Sequence, residues 1–272
     1  MKFLKLYLLI TSVLLVAFSA EAQKSPKSMQ GDYSKFSVSA GAGISNYYGD
    51  LIKKSSFFAQ PSYAFSAGAQ YAITPNLAAR LDLGFQKLQG SDSKPGGAHP
   101  ERNLRFESDV FDFAIAAEYT ILNLDKFPIS PYISAGVGVV LFNPYAEDVL
   151  GNRQNLVQLG TEGQGIPGYA EKYSTSALEF PLGAGVKYRI NKEVMLSLDF
   201  NYRITKTDYL DDVSSSRYPD KALLDGRNPK TANYTWQGAG AYPNTSTVTR
   251  GNPNNNDGFF TTQLKLIFKL KN

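Results

Sequence analysis

Strict period-2 alternation dominates the chain after Lys35 and leaves few folds open. It recurs in segments 36–44, 63–73, 77–86, 111–119, 133–141, 178–190, 194–204 and 260–270. In segment 194–204, Val194, Leu196, Leu198, Phe200, Tyr202 and Ile204 alternate with Ser197, Asp199, Asn201 and Arg203. Residues two apart share a face of a β-strand, so each segment predicts a strand with one apolar and one small or polar face. A soluble sandwich would bury the apolar face between two sheets. A transmembrane barrel would turn it to lipid and the polar face to the lumen.

Two patterns favour the membrane. Aromatics cluster near both ends of the apolar faces: Phe36, Tyr71, Tyr119, Tyr188 and Phe268 at one, Tyr63, Phe65, Phe85, Tyr202 and Phe260 at the other. Two such girdles match two lipid–water interfaces. The connections also alternate in length. Residues 74–76 and 191–193 are tight turns, whereas 46–61, 89–107, 144–175 and 206–257 are long, as in outer-membrane barrels with short periplasmic turns. The predicted fold is all-β: an eight-stranded antiparallel transmembrane barrel over residues 35–272, with both termini periplasmic.

Composition narrows the chemistry. With no Cys there is no disulfide framework, thiolate metal site or cysteine nucleophile, and a single His argues against a multi-histidine metal centre. A net charge of +4, spread over 28 basic and 24 acidic residues, gives no nucleic-acid footprint. No cofactor or metal is expected.

Residues 1–22 read as a signal peptide. Lys2 and Lys5 precede an apolar stretch, and Ala20-Glu21-Ala22 is an A-x-A cleavage site, so the mature chain is expected to begin at Gln23. Residues 23–34 are expected to form a flexible periplasmic segment. No later apolar stretch has the ~18 residues of a membrane helix.

Eight strands leave a lumen just wide enough for side chains. Three-residue turns would set Gly68 opposite Asp82, Gln70 opposite Arg80, Gly185 opposite Asp199 and Gly183 opposite Asn201. Small residues would then face large polar ones. Arg80, Asp82, Glu118, Glu179, Lys187, Asp199 and Arg203 are expected to form a structural charge network, with Lys187/Asp199 and Glu179/Arg203 as diagonal pairs.

The remaining signals are weaker. The G-x-G strings at Gly41, Gly136 and Gly183 open no helical pattern, so they read as strand packing rather than nucleotide loops. His99 lies near Ser91, Asp92 and Ser93 in a Gly- and Pro-rich stretch that predicts mobility rather than a rigid catalytic shell. Asp208, Asp211 and Asp212 lack EF-hand spacing and read as a solvated loop or docking surface. The connection 120–130 is longer than the other turns and carries Leu122, Leu124, Phe127 and Ile129. Those side chains either dip into the bilayer interface or meet a periplasmic partner.

Several strings together are similar to one family: Ile44-Ser45-Asn46-Tyr47-Tyr48-Gly49-Asp50-Leu51, 131–138 with Phe142-Asn143-Pro144, Gly165-Ile166-Pro167-Gly168-Tyr169, and 207–214. From about Phe36 onward the chain resembles the PorG-like outer-membrane barrels of Bacteroidota. That resemblance implies a bacterial outer-membrane location, contact with outer-membrane lipids, and a partner among the periplasmic ring or lipoprotein components of the type IX secretion system. It carries over no catalytic residue. The reading is a non-enzymatic anchor or scaffold for protein secretion. The alternatives are a small ligand-binding or solute-conducting barrel and a barrel enzyme using His99.

Overall fold

The computed structural model describes residues 33–56, 58–215, 217–243 and 249–271. The expected signal peptide, the cleavage site and residues 23–32 lie outside the described residues. Eight long antiparallel strands close into a barrel: β1 (Tyr33–Tyr48), β2 (Ser62–Ala72), β3 (Leu77–Ser91), β4 (Arg105–Thr120), β5 (Ile129–Glu147), β7 (Ser176–Arg189), β8 (Val194–Thr205) and β9 (Gly258–Lys271). Each pairs with its neighbours in sequence, and β1 pairs with β9 to close the ring. A short β6 (Arg153–Asn155) pairs with the end of β5. Tyr33 and Ser34, expected in the flexible segment, are already part of β1.

The burial pattern is that of a protein turned inside out. Leu83, Phe111, Ile115, Ile133, Leu141 and Leu182 face outward and are exposed, while Arg80, Glu118, Lys187, Asp199 and Arg203 are buried. A closed ring pairs strand backbone groups with neighbours and leaves no sheet edge, as hydrocarbon requires. The aromatic ends form ring contacts: Phe36 with Tyr71 at 4.8 Å, and Tyr202 stacked on Phe260 at 4.4 Å.

Turn geometry sets the register. The Ile73 N–H donates to Leu77 O at 2.9 Å and the Ile190 N–H to Val194 O at 3.0 Å. Gly68 therefore lies opposite Asp82, Gln70 opposite Arg80, Gly183 opposite Asn201 and Gly185 opposite Asp199, as the turns predict. Gly84 shows why the inner face needs glycine: a Cβ there would collide with the Asp112 carboxylate.

The strands run further than their apolar faces. In β3 the outward residues change from Leu83 and Phe85 to Lys87 and Gln89; in β4 they change from Phe111 to Asp109, Glu107 and Arg105. Over the same stretch the inner face becomes apolar, with Leu88, Phe106, Val110, Val140 and Phe142 in one buried cluster. Period 2 persists while its polarity inverts. The inversion marks where the wall leaves lipid and becomes the rim of a water-facing domain. That rim supports four long loops at 49–61, 92–104, 148–175 and 206–257. The loop 148–175 contains a short helix, α1 (Leu156–Leu159), and the last loop contains two, α2 (Lys221–Arg227) and α3 (Ala232–Thr235).

At the opposite end the turns are 73–76, 121–128 and 190–193. Ile129, expected in the longest of these, is the first residue of β5 and pairs with Tyr188.

Candidate functional site

Two assemblies are candidates: the filled lumen and the head built by the long loops. In the lumen Glu118 is a hub. It pairs with Arg80 at 3.1 Å, accepts a hydrogen bond from Gln70 at 2.8 Å, and takes a close ion pair from Lys187. Arg80 also holds Asp82 at 2.9 Å. Asp199 is held by Lys265 at 3.1 Å, by Arg80 at 3.8 Å and by the Tyr132 hydroxyl. Nearer the head, Arg203 meets Asp112 at 3.0 Å and Glu179 at 3.8 Å.

The network therefore exists, but its pairing differs from the diagonal rule. Lys187 reaches past β5 to Glu118 on β4 instead of to Asp199, because a barrel this narrow brings non-adjacent strands within reach of long side chains. Arg203 prefers Asp112 to Glu179. Asp112, Tyr132 and Lys265 are network members that the sequence reading left out, although all sit on inner-face positions. A cavity of about 20 Å³, roughly the room for one water, lies beside Arg80, Glu118, Tyr132, Lys187 and Lys265.

A double-mutant cycle separates the Arg203 contacts. Arg203–Asp112 coupling is expected to reach ~1–3 kcal/mol, and Arg203–Glu179 coupling to be smaller. Unfolding of Arg203→Ala, Asp112→Asn, Glu179→Gln and the two doubles checks this. Equal couplings would contradict the geometry.

The head is tied together by two buried arginines. Arg102 donates to both carboxylate oxygens of Asp92, at 2.7 and 2.9 Å, and to Asp50 O at 3.2 Å. It also donates to the Arg250 carbonyl. Arg250 pairs with Glu162 and donates to Asp212 O at 3.1 Å and Thr161 Oγ at 3.2 Å. Glu162 in turn accepts the Ser214 and Ser215 N–H groups at 2.9 and 2.8 Å. These bonds join all four long loops.

The acidic run, expected to be solvated, is buried within this head. Asp208 is 7% exposed, and Asp211 and Asp212 are 1% exposed each. The Tyr47 hydroxyl lies 2.5 Å from Asp211 and 2.9 Å from Asp257. One hydroxyl carries one proton, so it can donate to only one of the two acids; the other must keep its own proton to bond there. Burial pushes Asp257 well above the usual carboxylate range, and Asp211 and Asp208 push it further. Burial, then the Asp50 charge, does the same to Asp211. Asp208 is pushed up to about 8 by burial, with smaller contributions from Asp50 and Glu162. Asp212 is pushed up to about 7 by burial, against the pull of Arg250. Among the described residues no group of acids has metal-ligand geometry.

A pH prediction follows. A carboxyl whose folded pKa is raised binds protons that the open form has already lost between pH ~4 and ~8, so closing is favoured at low pH and weakens as pH rises. Hydrogen exchange in 206–215 is expected to speed up by roughly tenfold or more from about pH 5 to 8.5, beyond the intrinsic rate. Asp208→Asn should flatten that dependence. A wild-type head equally protected across the range would refute it.

The serine–histidine constellation does not assemble. The His99 Nδ1 meets Glu101 at 3.0 Å, with both side chains exposed. The Ser91 and Ser93 hydroxyls bond each other at 3.2 Å, and Asp92 is committed to Arg102. That ion pair ties the two ends of the stretch together. At the short-turn end Ile121, Leu122 and Phe127 are exposed. Leu124 is half-buried and, with Asn123 and Asp125, lines a shallow dimple of about 120 Å³ that Glu118 and Lys187 also line.

Comparison with known proteins agrees with this architecture. The family model described as "Outer membrane protein beta-barrel domain" matches residues 10–249. The chain belongs to that family. Its place is therefore the outer membrane. No curated protein matches the chain in sequence. Among solved structures it is similar to Neisserial surface protein A (12% identity, 89% of this chain and 100% of that chain covered, TM-score 0.44). It is also similar to Ail, the attachment invasion locus protein of Yersinia pestis (9%, 87% and 99%, 0.41), and to OprG of Pseudomonas aeruginosa (9%, 90% and 100%, 0.42). This family member keeps the eight-stranded wall and spends most of its irregular sequence on one end.

Proposed function

We propose that this outer-membrane barrel is a non-enzymatic anchor: a rigid plug-filled cylinder that holds a folded head outside the cell and a short apolar-studded turn in the periplasm. One observation carries the reading. Interlocked charges of Arg80, Glu118, Lys187, Asp199 and Lys265 span the lumen, and the cavity beside Arg80, Glu118, Lys187 and Lys265 holds only about 20 Å³. An interior so filled offers no solute path, so function moves to the two ends. The sequence resemblance supports a more specific role, in which the turn at 121–128 docks on a periplasmic component of a type IX protein secretion apparatus. Phe127 is 48% and Leu122 38% exposed there, more than buried packing would allow.

The test uses Leu124→Ser with Phe127→Ser. The variant is expected to keep the gel shift between unheated and boiled protein while losing co-purification of periplasmic partners and secretion of their cargo. Normal secretion would overturn the docking role. Ohmic single-channel currents from the purified wild type in planar bilayers would overturn the anchor reading itself.

A further inference from the structure

Apart from the lumen, the head holds a cleft of about 370 Å³ between the rim strands, the loop 92–104 and the segment after α3. That lies in the range of small-molecule sites, with room for roughly two sugar rings. Four carboxamides line it: Gln60, Gln89, Asn103 and Gln237. Three of these fix the wall through their nitrogens. The Gln60 Nε2 donates to Ser91 O at 2.9 Å, the Gln89 Nε2 to Pro61 O at 2.8 Å and the Asn103 Nδ2 to Gln237 O at 3.1 Å. Their carbonyl oxygens take no hydrogen bond among the described residues. The Gln60 oxygen, sealed behind the wall, has no donor at all, and the acceptors that line the cleft with some exposure are those of Gln89 and Asn103.

The charges lining the cleft balance. Lys94 and Arg105 stand against Glu107 and Glu147. A polyanion or polycation would meet as much repulsion as attraction. Apolar lining is confined to the buried Phe106 and to Ala146, which gives no seat to a lipid tail or an apolar peptide. The cleft thus presents amide oxygens as acceptors, Ser93 and the Gln237 amide as further polar groups, and no net charge. A ligand dense in hydroxyls satisfies such a wall, since each hydroxyl both donates and accepts. Asn103 also holds a left-handed backbone, φ 55°, and such conformations cluster at ligand clamps.

We infer that this cleft binds a short neutral oligosaccharide. The inference is independent of the anchoring role, because it concerns the head alone. Trp236, the single tryptophan, directly precedes Gln237 and reports on the cleft. The experiment titrates the full-length barrel in detergent with maltotriose, cellotriose and triacetylchitotriose, following Trp236 fluorescence and heat of binding. At least one should bind saturably below about 10 mM, a typical weak-site range. Ser93→Phe, which fills the cleft, and Gln237→Ala should each weaken binding at least tenfold, with His99→Ala as an unaffected control. Heat-modifiability of each variant confirms folding. Three results would overturn the inference: no saturable binding of any trisaccharide, wild-type affinity in Ser93→Phe, or tighter binding of a sulfated than of a neutral sugar.

Discussion

Glu118→Leu is expected to destabilise the barrel by ~3–5 kcal/mol, the usual cost of leaving buried partners uncompensated. The stranded groups are Lys187, left with Gln70 at 3.3 Å and the face of the Tyr132 ring at 5.0 Å, and Arg80, which keeps Asp82 and, at 3.8 Å, Asp199. The heating temperature that converts the folded gel band should fall by about 10 °C. Adding Lys187→Met removes one stranded cation and should recover part of the loss. A single variant that melts like the wild type would show that water screens the lumen charges.

Arg250→Met should act on the other end alone. It leaves Glu162 facing Asp212 inside the head without their shared cation. By the same reasoning it should cost ~3–5 kcal/mol, but locally. Amide protection in 206–257 should fall by roughly 10²–10³-fold, and limited proteolysis should cut there, while the heat shift of the barrel stays put. Cooperative loss of both would mean that head and wall fold as one unit.

The wall was legible because lipid imposes one rule on every strand. An apolar residue at each second position, interrupted by a turn of fixed length, sets face and register together, which is why the Gly68/Asp82 and Gly183/Asn201 pairings could be counted out from Ile73/Leu77 and Ile190/Val194. The extensions beyond Phe85 and Phe111 were missed because the alternation continues there with inverted polarity; following the apolar face alone makes the strand seem to stop. The head was illegible for another reason. Arg102 and Arg250 are 148 residues apart, and Glu162 and Arg250 are 88 apart, so no local pattern announces their contact. Asp211 and Asp212 looked solvated because carboxylates in loops usually are, and nothing nearby in sequence names Tyr47 or Arg250 as the groups that bury them.

Tyr47 and Asp257 also tie barrel closure to the head. Tyr47 stands near the end of the first strand and Asp257 immediately before the last, so their hydrogen bond spans the seam where the cylinder is sewn shut. Loops 49–61 and 92–104 are held by Arg102, whose bond to the Arg250 carbonyl also needs a residue next to the final strand. The stitch that closes the wall thus brings in the residues that lock the loops above it, so a ring open at this seam lacks both.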